Sequence, residues 1–190
     1  RGTLESTPVW LLESSETVLA VALGDADGDG YLELVCGRDG QGAAVYDNRS
    51  VGFSSSPTWT TVRQDRTASV ALGDVDGDGD MDLVCGNGYL NAQPSTLYLN
   101  DGGALQRTPA WLSVAAPARA VALGDMDGDG DLDLAIGNYG FTNRVTLYDN
   151  VDGTFGTAAS WTGQVSGNTT CVAIGDVDGE SGLAGDRSRP

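Results

Sequence analysis

Three short segments of the chain repeat a nearly identical spacing of carboxylates and glycines. Each nine-residue segment has acidic side chains at relative positions 1, 3, 5 and 9 and glycines at positions 4 and 6. The segments begin at Asp25, Asp74 and Asp125, which are 49 and 51 residues apart. Side chains at positions 1, 3 and 5 of a tight loop converge on one point, and carboxylate oxygens are the ligands of hard cations. The spacing therefore predicts a cation site in each copy of an internal repeat.

Calcium is the ion that these loops favour, because it accepts six to eight oxygen ligands in a flexible geometry, whereas magnesium demands a rigid octahedron. The backbone carbonyl of position 7 can add a ligand, and the glycine at position 6 permits the necessary turn. The loops contain neither histidine nor cysteine, which argues against softer metals. The predicted ligands of about three calcium ions are Asp25, Asp27, Asp29, Tyr31 and Glu33 in the first loop, Asp74, Asp76, Asp78, Asp80 and Asp82 in the second, and Asp125, Asp127, Asp129, Asp131 and Asp133 in the third.

Two comparisons delimit this motif. An EF-hand needs a glutamate at position 12 and flanking helices, but position 12 here is cysteine or isoleucine inside a predicted strand, so an EF-hand is excluded. A fourth copy begins at Asp176 and Asp178 but has Glu180 at position 5 and Ala184 at position 9. We predict that this fourth loop binds no ion, or binds one weakly.

The segments around the loops alternate small and large apolar residues with the period of two that is typical of strands. One strand precedes each loop, a second follows it, a third ends at Asp or Asn turn residues, and a fourth carries Trp10, Trp59, Trp111 or Trp161. Four short antiparallel strands in a repeat of this length are the blade of a β-propeller. The sequence therefore predicts an all-β protein, in which we expect the tryptophans to pack against the neighbouring blade rather than to form a sugar-stacking platform.

The predicted layout is one propeller-type repeat domain over residues 1–180, followed by a disordered tail at 181–190. The predicted blades cover approximately residues 18–62, 67–114 and 119–163, with a partial fourth from 169. Known propellers have about four to eight blades, so three cannot close a ring. Three explanations stay open: the chain is a fragment of a longer one, copies associate to complete a propeller, or an irregular fourth blade joins the strand near Trp10 to the strand near Val172.

The stretch VALGDVDGDGDMDLV at residues 70–84 resembles the FG-GAP/VCBS repeat family, which is found in integrin-α-like propellers and in many secreted bacterial proteins. The resemblance extends through about residue 180, and the chain holds three tandem copies of the motif. It implies calcium-loaded propeller blades in a protein that is secreted or displayed on a cell surface. It does not imply one activity, because the family serves in adhesion, in carbohydrate binding and as a scaffold in enzymes.

The formal net charge of −17 comes largely from the loops, whose positions 1, 3, 5 and 9 hold twelve of the 27 acidic residues. Three divalent ions would leave −11, which argues against a nucleic-acid partner, since phosphates require clusters of Lys and Arg. No apolar stretch is long enough to span a bilayer, so membrane insertion is not expected. The sequence shows no signal peptide, but Arg1 is not a natural start, so one could have been removed.

The chain offers little for catalysis. It has no histidine, which excludes Ser–His–Asp and Cys–His nucleophiles. Paired carboxylates can hydrolyse glycosides, but the close pairs here are already assigned to the loops. The three cysteines are predicted to be structural free thiols. We therefore predict no catalytic residues and no enzymatic activity.

Together these observations favour a calcium-binding, non-enzymatic extracellular module for adhesion or binding, whose ligand is an unknown protein or glycan. Two alternatives stay open: a propeller segment of a larger secreted enzyme directed at polysaccharides, and a purely structural assembly module. Ligand contacts are expected in the loops that differ most between repeats. These loops are Arg38–Gln41, Tyr89–Pro94 and Tyr139–Asn143.

Overall fold

The computed structural model describes residues 15–49, 52–140, 145–163 and 167–175. Within these ranges the chain forms fourteen strands and no helix. Accordingly, no helix that could cross a membrane occurs in the described part of the chain. The predicted strand at Trp10, the fourth loop at Asp176 and the tail at 181–190 lie outside the described residues.

Twelve of the strands form three antiparallel four-stranded sheets, which confirms the predicted all-β fold built from blades. The first sheet has the order β1-β2-β3-β6, with β1 Val18–Gly24, β2 Glu33–Arg38, β3 Gly42–Tyr46 and β6 Trp59–Thr60. A two-stranded ribbon of β4 Asn48–Arg49 and β5 Gly52–Phe53 lies in its last connection. The second sheet contains β7 Thr67–Gly73, β8 Asp82–Asn87, β9 Thr96–Tyr98 and β10 Trp111–Leu112. The third contains β11 Ala118–Gly124, β12 Asp133–Asn138, β13 Val145–Tyr148 and β14 Trp161–Thr162.

The second strand of each sheet is almost completely buried. Every residue of β8 and β12 is buried, because these strands have neighbours on both edges and on both faces. The sequence suggests that these strands end at a glycine, but each continues one residue further. Gly37 illustrates the reason, since it still pairs with Ala20 on one side and with Ala43 on the other.

The first strands of the three sheets lie side by side, with β1 against β7 and β7 against β11. Glycines allow this close approach. A Cβ added to Gly24 would lie 2.6 Å from Cδ1 of Leu72, and one added to Gly37 would lie 2.8 Å from the carbonyl oxygen of Thr67. Because the sheets converge at these strands and diverge outward, they are arranged as the blades of an open propeller.

Residues 167–175 take the place of the next first strand, although they form no strand themselves. A Cβ on Gly124 would lie 2.6 Å from Cγ2 of Ile174, and one on Gly137 would lie 3.0 Å from Cγ1 of Val172. These contacts repeat those between the preceding sheets. A strand needs a hydrogen-bonded partner, and the segment that would pair with residues 167–175 follows Asp176, outside the described residues.

Two of the tryptophans pack against the following blade, as predicted. The indole Nε1 of Trp59 donates to the carbonyl of Leu105 at 2.8 Å, and that of Trp111 donates to the carbonyl of Gly156 at 3.0 Å. Trp111 also contacts Tyr148 edge to face, with ring centroids 5.1 Å apart. These rings are therefore part of the core between blades and are not available as a sugar-stacking platform.

The cysteines are free thiols in the structure, as predicted. Cys36 and Cys85 are buried, and burial raises the pKa of the Cys85 thiol to about 12, which keeps it protonated and unreactive. Cys171 differs because it is exposed. It lies in the last described segment, where no further blade covers it among the described residues.

The tryptophan positions supply a matched pair for a stability test. Trp111 is buried, whereas Trp161, at the same position of the next repeat, is 53% exposed. Replacing Trp111 by Ala should cost about 3–5 kcal/mol of unfolding free energy, since it leaves a cavity between two blades. Trp161→Ala should cost less than about 1 kcal/mol, because an exposed side chain loses few contacts. Urea unfolding of both variants in calcium buffer measures the difference, and equal losses would contradict the packing described here.

Candidate metal centres

Each acidic loop folds on itself through hydrogen bonds from its own backbone to its own carboxylates. In the first loop, the carboxylate of Asp25 accepts from the backbone N–H of Gly30 at 3.0 Å. Asp27 accepts from the N–H of Asp29, and Asp29 accepts from the N–H of Tyr31 at 2.8 Å. The same bonds recur in the other two loops. The loop therefore turns its carboxylates toward a common centre.

The glycines at positions 4 and 6 are required by backbone conformation. Gly28 and Gly30 have φ angles of 75° and 91°, and their counterparts in the other loops are similar. Residues with a side chain rarely adopt such angles. A Cβ at either position would meet nothing within 4 Å, so lack of space is not the reason for glycine here.

The structure brings three carboxylates of each loop close enough to share one ion. In each group the candidate ligand oxygens lie within 4.8 Å of one another. The first two groups combine positions 1, 3 and 5, whereas the third combines positions 1, 3 and 9. The groups are Asp25, Asp27 and Asp29; Asp74, Asp76 and Asp78; and Asp125, Asp127 and Asp133. No group contains all four predicted carboxylates, so Glu33, Asp82 and Asp129 lie outside these groups.

The position 9 carboxylates are buried, and in the second and third loops each is bonded to two parts of the backbone. Asp82 accepts from the N–H of Val75 in its loop and from the N–H of Asn100 at the end of the third strand, both at 2.8 Å. Asp133 makes the corresponding bonds, to Met126 at 2.7 Å and to Asn150 at 2.8 Å. The position 9 acid thus joins the loop to the strand beside it, in addition to its predicted role as a ligand.

Burial of these acids disfavours their charged form. It raises the pKa of Asp82 from 3.8 to about 6, even though the backbone N–H groups of Asn100 and Val75 act in the opposite direction. Burial likewise raises the pKa values of Glu33 and Asp133. A carboxylate that is this difficult to ionise gains stability from a positive charge placed beside it.

The first loop tests whether the donor set fits a cation. Oδ1 of Asp25 is buried and has no hydrogen-bond donor among the described residues. A buried carboxylate oxygen without a donor is costly unless a cation takes the place of the donor. An all-oxygen, carboxylate-rich set of this kind suits a hard cation such as calcium. The residues of the loop therefore fit the ion that the sequence predicts.

An asparagine at the end of the third strand connects the second loop to the first, and another connects the third loop to the second. The side-chain amide of Asn100 donates to the carbonyl of Ala26 in the first loop at 2.8 Å and to that of Met81 in the second at 3.0 Å. Asn150 repeats the arrangement, donating to Val75 at 2.7 Å and to Leu132 at 3.1 Å. The sequence indicates only turn residues here, although the recurrence of Asn at one repeat position is a signal of a specific role.

The turn that follows this asparagine also lies against the preceding loop. A Cβ added to Gly103 would be 2.4 Å from the carbonyl oxygen of Asp27, and one added to Gly153 would be 2.8 Å from Cβ of Asp76. The first and second loops are therefore each covered by the blade that follows. The third loop has no following blade among the described residues.

The position 7 residues lie at the outer side of the loops. Tyr31 is exposed, and its carbonyl rather than its ring is the predicted ligand. The carboxylate of Asp80 accepts from the N–H of Gly102 in its own blade at 2.7 Å. In the second loop, the side chain at position 7 is therefore engaged by the turn after the third strand of its own blade. Its backbone carbonyl remains the candidate ligand.

Comparison with known protein families gives one match. The family described as FG-GAP-like repeat matches residues 25–85, 86–136 and 127–181. The first match contains the first and second acidic loops, and the second match contains the third. No curated protein matches the chain.

The raised pKa of Asp82 predicts an unusual pH dependence for the metal-free protein. The folded-state pKa of about 6 lies above the ordinary value of 3.8, so protonation of Asp82 stabilises the fold. This contribution to stability is complete below pH 3.8 and is lost as the pH rises through 6. When the pH falls from 7 to 5, this group alone should add about 1 kcal/mol to the unfolding free energy of the metal-free protein in EDTA.

The calcium-loaded protein should show the opposite dependence, because protons compete with the ion for the same oxygens. Thermal melts in EDTA and in excess calcium at pH 5 and pH 7 compare the two forms. The melting temperature should rise on acidification in EDTA and fall on acidification in calcium. The same direction of change in both buffers would contradict the assignment of these carboxylates as calcium ligands.

Proposed function

Because the chain belongs to the FG-GAP-like repeat family, we propose that it is a calcium-loaded, non-enzymatic binding module that works outside the cell or on its surface. The observation that supports this most directly is the triplet of converging carboxylates in each loop. When bound, calcium would supply the positive charge that these acids lack. The residues that would hold it are those predicted from the sequence, led by the grouped carboxylates at positions 1 and 3.

The proposed role of the ion is to stabilise the contact between blades. In the second loop, for example, the carbonyl of Val75 already accepts from Asn150 of the following blade. An ordered loop keeps this carbonyl in place, so binding free energy at the loop becomes stability of the interface. Since each sheet is small and its core is shared with its neighbours, such support should be a large part of the total stability.

Calcium binding can be tested on the whole chain. Calorimetric titration should give about three sites per chain, with the third weaker than the others because no following blade covers its loop among the described residues. Saturation at 100 times the dissociation constant adds about 2.7 kcal/mol per site. For a chain of this size the melting temperature should therefore rise by on the order of 10 °C or more over that in EDTA.

A variant with Asp76→Asn and Asp78→Asn should lose one site, because it removes two ligand charges from exposed positions and preserves side-chain size. Asp101→Asn, an exposed acid outside the loops, is the matched control and should retain all sites. Magnesium at the same concentration should raise the melting temperature less than calcium does. An unchanged melt in EDTA, with no heat of calcium binding, would refute the proposed role of the ion.

The ligand surface that we propose lies at the edge of the sheets opposite the ion loops. The ion loops join first to second strands, whereas Tyr89 and Tyr139 follow the second strands, and antiparallel strands place these two kinds of connection at opposite edges. The two rings meet edge to face at 5.2 Å, and the guanidinium of Arg119 lies 4.4 Å from the ring centre of Tyr89. Leu90 beside them is exposed.

The chemistry of this surface favours an acidic glycan. Four of the other described arginines are paired with a carboxylate, whereas Arg119 makes no ion pair among the described residues. A guanidinium binds carboxylates through paired hydrogen bonds, and partly exposed aromatic rings offer apolar faces to a sugar. A cavity lined by Ser95, Ser113 and other residues measures about 70 Å³, which is small beside the roughly 300–1,000 Å³ of typical ligand pockets. The ligand would therefore bind on the surface rather than in that cavity.

A glycan array that contains uronate-bearing and neutral oligosaccharides tests this surface. The chain should bind acidic members only, and Arg119→Ala should weaken that binding at least about tenfold, as expected for loss of a charge-assisted contact. Arg107→Ala provides the control, since Arg107 is exposed on another face and donates to Thr60. Absence of binding, or equal weakening by both substitutions, would refute the proposed surface.

A further inference from the structure

The three sheets and residues 167–175 are joined by one contact that recurs along the chain. The first strand of each blade places two branched apolar side chains over two glycines of the preceding blade. Leu72 covers Gly24, at 2.6 Å from the position that a Cβ would take, and Val70 covers Gly37 at 3.3 Å. The later contacts are Leu123 over Gly73 at 3.0 Å, Val121 over Gly86 at 2.8 Å, Ile174 over Gly124 at 2.6 Å and Val172 over Gly137 at 3.0 Å.

The first blade presents the same apolar pair without a described surface beneath it. Val21 and Leu23 occupy the positions of Val70 and Leu72, and they are 64% and 57% exposed. Their counterpart Val121 in the third blade is buried. Two adjacent branched side chains with the spacing of an internal interface therefore face outward at the beginning of the array.

The last described residue presents the complementary half of the contact. Gly175 has the repeat position of Gly24, Gly73 and Gly124, but a Cβ added to it would meet no atom of the described residues within 4 Å. Its φ angle does not lie in the left-handed region, so the backbone there accepts any side chain. The glycine that elsewhere receives Leu or Ile thus receives no side chain from the described part of the chain.

We propose that Val21 and Leu23 of one copy of this chain dock beside Gly175 of a second copy, so that copies add head to tail. The proposed contact continues the interface that already joins the blades within one chain. The contact is heterologous, because the two copies contribute different surfaces.

The charge of the chain determines how this association responds to salt. Each copy carries −17, or −11 with three calcium ions bound, so two copies repel each other. Added sodium chloride screens that repulsion and leaves apolar burial intact. Head-to-tail docking should therefore become stronger as the salt concentration rises, whereas an association held by salt bridges would become weaker.

Sedimentation velocity of the whole chain in calcium buffer, from 1 to 100 µM, tests the proposal. The wild type should form species larger than a monomer in a concentration-dependent manner. The double variant Val21→Ser/Leu23→Ser should raise the dissociation constant at least about tenfold, since burial of two such side chains is lost. The matched control is Val62→Ser/Val151→Ser, whose positions are 68% and 62% exposed, and it should associate as the wild type does.

The opposite side of the contact has its own test. Gly175→Val fills this position and should abolish docking while leaving the monomer's melting temperature unchanged, because no described residue lies within 4 Å of the new Cβ. Gly124→Val, at the same repeat position, should destabilise the monomer itself. A wild type that stays monomeric up to 100 µM would overturn the proposal. So would a Gly175→Val variant that associates normally, or a control that dissociates as much as the Val21 and Leu23 variant. Sedimentation measures the association of copies, whereas calorimetric titration measures calcium binding. The docking proposal and the calcium proposal can therefore fail independently.

Discussion

A buried carboxylate at the base of each acidic loop is the constraint around which every blade is built. Asp82 and Asp133 each accept backbone N–H groups from their loop and from the end of the third strand. This geometry holds three parts of the chain together, but it requires a negative charge where water is excluded, which raises the pKa. Hydrogen bonds offset only part of that cost. A cation in the adjacent loop would offset more of the cost of the buried negative charge, so ion binding would stabilise the same carboxylate that organises the blade.

The loops also make the stability of one blade depend on the next. Asn100 and Asn150 each bridge two successive loops, and the glycine contacts between first strands join the same pairs of blades. Such an array resembles a solenoid, in which stability is a sum of nearest-neighbour interfaces. The end blades consequently differ from the middle one, as the exposed Trp161 and the exposed pair on β1 illustrate.

The two edges of the sheets have different chemistry. One edge carries the acidic loops, whose composition is almost invariant because the folding of each loop requires it. The opposite edge carries connections of unequal length, with an arginine and two tyrosines in contact. Residues there are free of the demands of the ion loops, which is why binding surfaces on repeat proteins are commonly found in such variable connections.

The sequence alone determined the repeat, the strands and the acidic loops, because these depend on local spacing: a period of two for strands, and carboxylates at fixed intervals between glycines that permit φ > 0. It also placed Trp59 and Trp111 between blades, since a fixed register along the repeat indicates packing. The role of Asn100 could not be derived, because its partner Ala26 lies 74 residues away.

Only the tertiary structure decided which carboxylates of each loop come together, and it separated Glu33 and Asp82 from the others of their loops. It also distinguished Gly124, which Ile174 covers, from Gly175, which no side chain of the described residues covers. The physical reason is that the sequence fixes what each blade offers to a neighbour, whereas burial and pKa depend on whether that neighbour is present.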